Sequence, residues 1–90
     1  MKEQFIIRFT DSDIRYQAEV KAFDRDGEIV YDVYYTLVPY VHPAKRVQVY
    51  AGSGSGPVFY WRQRVISKDE ELLSKEFIEA IGFAIEQAEK

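Results

Sequence analysis

After Ser67 the hydrophobic pattern of this chain changes period: upstream, apolar side chains recur at every second residue, and downstream at every third or fourth. A period of two belongs to a strand with one wet face, and a period near 3.6 to a helix lying on a core. The order of the segments therefore sets the fold class. A sheet is built first, and one helix follows to cover it.

The strands can be read one by one. Phe5, Ile7 and Phe9 alternate with Gln4, Ile6 and Arg8 in a first strand over 4–10, and Thr10-Asp11-Ser12-Asp13 turns the chain. Ile14, Tyr16, Ala18, Val20 and Ala22 alternate with Arg15, Gln17, Glu19 and Lys21 in a second, over 14–23. Asp24-Arg25-Asp26-Gly27 is the strongest turn signal, because Asp-Gly accepts the positive backbone angles of a tight hairpin. The third strand, 28–38, therefore returns antiparallel. It carries Ile29, Tyr31, Val33, Tyr35 and Leu37 on one side and Val30, Asp32, Tyr34 and Thr36 on the other. Pro39 and Pro43 bracket Tyr40-Val41-His42 and make it a loop, since proline supplies no ladder donor. A fourth strand over 45–51 stops at the Gly52 to Gly56 Gly-Ser run, and a fifth covers 58–66.

Ser67 with Glu70 three residues on matches a capping box, which predicts a helix over 68–87. Leu73, Phe77, Ile81, Ala84, Ile85 and Ala88 form its apolar stripe. Gly82 weakens such a helix by about 1 kcal/mol relative to Ala and marks a close approach to a strand. Short links favour an antiparallel meander over parallel crossovers, which would need interspersed helices. The expected fold is α+β, one domain over 1–90, with a single curved antiparallel meander of five strands and a C-terminal helix packed across one face.

The 90-residue chain has no cysteine, which removes disulfides, thiol nucleophiles and thiolate metal sites. A core of this size has little stability to spare, so self-association is a natural supplement. The expectation is a homodimer, through the sheet face or an edge strand, or a protein partner. No segment has the length or hydropathy of a membrane span or a signal peptide, and a cytoplasmic location follows by default.

Charge supplies the candidate surface. Between Asp32 and Asp69 there is no acid, although the net charge of the chain is -3. That stretch holds Lys45, Arg46, Arg62, Arg64 and Lys68 among Tyr34, Tyr35, Tyr40, Tyr50, Phe59, Tyr60 and Trp61. Lys45, Arg46, Tyr50, Tyr60, Arg62 and Arg64 are the candidate partner or nucleic-acid surface: cations hold phosphates, and rings stack on unpaired bases.

Other motifs carry less. The Gly-Ser run lacks the Gly-Lys-Ser/Thr of a phosphate loop and leads into a strand, so it reads as a hairpin loop. His42 is the only histidine and has no metal-ligand spacing around it. Asp11 with Asp13, and Asp24 with Asp26, are turn residues without the ligand count of a calcium loop. No catalytic residue, cofactor or metal site is expected. The chain reads as a small interaction or self-association domain, not an enzyme. The alternative is binding of single-stranded nucleic acid through the basic-aromatic face.

Overall fold

A computed structural model describes residues 4–38, 44–53, 59–65 and 67–88, with backbone alone at 52–53 and 59–60. The five strands are β1 (Gln4–Asp11), β2 (Ile14–Arg25), β3 (Glu28–Leu37), β4 (Lys45–Ser53) and β5 (Phe59–Arg64), and the helix is α1 (Lys75–Ala88). The strands pair in sequence order, each antiparallel to the next, in one sheet that does not close. The predicted meander and its C-terminal helix are thus present.

Both tight hairpins use left-handed backbone. Asp26 and Gly27 sit at φ 53° and 86°, and Gly27 N–H donates to Asp24 Oδ1 at 2.9 Å. Ser12 and Asp13 adopt φ 50° and 65° between β1 and β2. Positive angles at both central residues match the right-handed twist of the flanking strands.

Register places one set of side chains under the helix. Ile7 faces Ala18, Val20 faces Val33, and Val33 faces Val47, so the alternate apolar residues of four strands form one layer. Val20, Val33, Val47, Val49, Ile81 and Ile85 are the most fully enclosed side chains. The helix backbone approaches β1, β4 and β5 within 8 Å between Cα atoms, but not β2 or β3. Both edges of the sheet therefore curl toward α1. The deeper middle is filled by rings: Phe77 meets Phe9, Tyr16 and Tyr35 edge-on, with centroids 5.4, 5.1 and 5.2 Å away.

Gly82 marks the close approach that its position suggested. The ring of Trp61 on β5 lies against it so closely that a Cβ there would fall inside the indole.

The helix begins later than the predicted 68. Ser67 does accept a bond from Glu70 N–H, at 3.2 Å, but through its carbonyl, and the result is an isolated turn. Residues 70–74 are then held as an irregular lead by Gln63. Its Nε2 donates to Glu70 Oε2 and to the Glu71 carbonyl, both at 3.0 Å, and its Oε1 accepts from Leu73 N–H at 2.8 Å. A backbone tied to β5 in this way cannot also form helical bonds. Ser74 is the cap instead: its Oγ accepts from Phe77 N–H at 3.1 Å, and its carbonyl from Ile78 N–H at 3.1 Å. Ser74→Ala is accordingly expected to cost about 1 kcal/mol in urea unfolding, and Ser67→Ala close to nothing. Equal losses at the two sites would contradict this assignment.

Smaller differences lie at strand ends. β2 continues to Arg25, and β4 runs through Gly52 to Ser53, into the Gly-Ser run. The rest of that run, from Gly54 to Pro57, lies outside the described residues, as do Val58 and Ile66, the ends of the predicted fifth strand.

Candidate binding face

The helix covers one side of the sheet, and among the described residues no element lies across the other. Antiparallel register arranges that second side in rows across the strands. One row is Phe23, Val30, Tyr50 and Arg62; the next is Gln4, Lys21, Asp32, Gln48 and Arg64; a third is Ile6, Glu19, Tyr34 and Arg46.

The middle row is a hydrogen-bonded network. Asp32 Oδ1 accepts from Gln48 Nε2 at 2.8 Å and from Arg46 Nε at 3.1 Å, and Arg64 Nη1 donates to Gln48 Oε1 at 3.1 Å. Arg46 Nη2 adds an ion pair with Asp32 at 3.0 Å. The hydrogen bond to Asp32, and then its charge, hold the Arg46 guanidinium protonated even more firmly than usual. Gln48 is only 5% exposed although it lies on the uncovered side, because its neighbours' long side chains close over it. Such burial of an amide is tolerated because both of its ends are bonded.

Rings and cations alternate around this network. Lys21 Nζ and the Arg46 guanidinium lie 5.7 and 5.9 Å from the centre of the Tyr34 ring, within cation–π range. Tyr50 stands between buried Val30 and exposed Arg62. A groove of about 590 Å³ opens beside it, with Arg25 and Arg64 among its walls and Asp26 and Glu28 at the turn end.

Register also decides which candidate residues share a face. Arg46, Tyr50, Arg62 and Arg64 share the uncovered face. Lys45 does not: it pairs with Tyr35 and belongs to the helix side, where it borders a cavity of about 510 Å³ with Tyr16, Glu71 and Phe77. Burial raises the Tyr35 phenol above its usual range in that cavity, with the charge of Glu71 adding to the effect. Tyr60 pairs with Gly52, and its side chain lies outside the described residues. His42 lies outside them too.

Four cations from the acidic N-terminal segment join the face. Arg8 of β1 and Arg15, Lys21 and Arg25 of β2 share the orientation of Arg46, Arg62 and Arg64. Among the described strand residues of this face the seven cations stand against Glu19, Glu28 and Asp32, a surplus of four positive charges in a chain of net charge -3, with Asp26 adding one acid at the turn end of the groove. Their alternation with apolar residues was visible in the sequence. What placed them on the same face as the β5 cations was the pairing of all five strands.

Compared with protein-family models, curated proteins and solved structures, the chain matches none of them.

Among the described residues no three metal-ligating side chains come together, and no helix is long and apolar enough to cross a membrane. What the described residues do hold is a shaped, charged surface.

Proposed function

We propose that the chain is an interaction domain whose uncovered sheet face binds single-stranded nucleic acid. The observation that supports this reading is the segregation of charge, seven cations against three acids among the described strand residues of one face of an acidic protein. Such a face attracts a polyanion at long range despite the overall charge, because the field near a surface follows the local distribution. Rings among the cations favour an unpaired strand, whose bases are free to stack. Tyr50, beside its groove, is the stacking platform. Arg62 and Arg64 form no ion pair among the described residues, and in this reading they hold the adjacent phosphates.

Two-fold self-association through the same face is less well supported. It would set one surplus of positive charge against another. In the cytoplasmic setting expected of the chain, single strands are within reach of the face.

Fluorescence anisotropy of labelled single-stranded DNA and RNA tests the reading. With Lys21, Arg62 and Arg64 each neutralising one phosphate, log K should fall with log salt at a slope of about -2, or roughly twentyfold between 50 and 200 mM. Arg62→Ala/Arg64→Ala should remove most of that slope, and duplex of the same length should bind more weakly. A flat titration at tens of micromolar protein in low salt would overturn the reading.

A further inference from the structure

Charge gathered on the sheet face leaves the opposite pole of the molecule acidic. The outward side of α1 presents Glu76 and Glu79, and Lys75, its only cation, is tied to Glu79 at 3.8 Å, while Glu86 Oε1 accepts from Trp61 Nε1 at 3.0 Å. In the middle of these carboxylates stands Phe83, 63% exposed. At 100° per residue, Phe83 lies opposite the buried stripe of Phe77, Ile81 and Ile85, so the core makes no use of it.

We propose that this outer side of α1, centred on Phe83, docks on the basic sheet face of a second copy of the chain. The two surfaces are opposite in charge. In this docking the ring of Phe83 enters the groove beside Tyr50, where Phe23 and Val30 supply apolar neighbours in the same row. Glu76 and Glu79, which flank Phe83 on the helix, are then the carboxylates offered to Arg62 and Arg64. Opposite charges around an apolar contact bring the copies together and fix their orientation.

The contact is heterologous, since it joins two different patches. Each added copy therefore offers one unused sheet face and one unused helix, and the assembly extends instead of stopping at two. Nucleic acid and α1 compete for one face, so a bound strand ends the growth.

Sedimentation velocity over a concentration series in low salt tests this. The weight-average mass of the wild-type chain should climb past that of a dimer, return to the 10.5 kDa monomer in high salt, and fall with excess oligonucleotide to that of one chain with its bound strand. Glu79→Lys/Phe83→Lys alters only the helix surface and should leave a monomer that still binds single strands. Arg62→Glu/Arg64→Glu should also be monomeric. Mixing the two variants restores one intact patch on each partner, and should yield a 1:1 complex that grows no further. A wild-type mass that never exceeds the monomer at low salt, or stops at a dimer, would overturn the proposal. So would a helix variant that assembles as before. Binding of single strands by the monomeric helix variant keeps this outcome separate from that of the nucleic-acid reading.

Discussion

Gly82→Ala is expected to destabilise the protein by about 2 kcal/mol, even though alanine gains about 1 kcal/mol in a helix interior. The added methyl would occupy the space of the Trp61 ring, and it meets the ring at its root, where rotation about the side chain is the only escape. Moving the indole away separates it from Tyr31, whose ring centroid is 5.6 Å distant, and breaks its 3.0 Å bond to Glu86. Since Trp61 is the only tryptophan, the displacement has its own signal: emission of the folded Gly82→Ala variant should shift to the red. In a Trp61→Ala background the sign should reverse, with Gly82→Ala stabilising by about 1 kcal/mol through propensity alone. A double-mutant cycle by urea unfolding measures both, and no coupling between the positions would refute this packing.

Asp32→Ala is expected to weaken the fold and strengthen polyanion binding together. Asp32, with its side chain 14% exposed, is the acceptor shared by Arg46 and the enclosed amide of Gln48. Its removal leaves a buried donor unmatched, at a cost of about 2 kcal/mol. The same change releases Arg46 and removes an acid from the centre of the face. A unit charge about 5 Å from a phosphate carries about 0.8 kcal/mol in water, so affinity for a single strand should rise roughly fourfold at low salt. Thermal unfolding and anisotropy on one preparation would show the trade. A loss of stability with no gain in binding would mean that the network is purely structural and the strand lies elsewhere.

Both substitutions act at places where local pattern and tertiary contact meet. The alternation from Phe5 to Ala22 and the Asp-Gly turn contain the strands and their direction, because side-chain parity and turn geometry are properties of a few consecutive residues. The stripe of Phe77, Ile81 and Ile85 likewise announces the helix. Even the close approach at Gly82 was legible, as a residue too small for its place in a helix.

The start of that helix was not legible. Ser67 and Glu70 satisfy every local rule for a cap, but a single side chain on β5, Gln63, binds residues 70–73 and delays helix formation until Ser74. The cations divided in the same manner. Lys45 and Arg46 are neighbours in sequence and fall on opposite faces, whereas Arg8 and Arg64 are far apart in the chain and share one. Sequence by itself determined the elements and the parity of each strand, since these depend on short-range sterics and burial. Only the tertiary structure decided which parities coincide, because register is fixed by the packing of all five strands against one helix, and from that common register come the basic face and its acidic opposite.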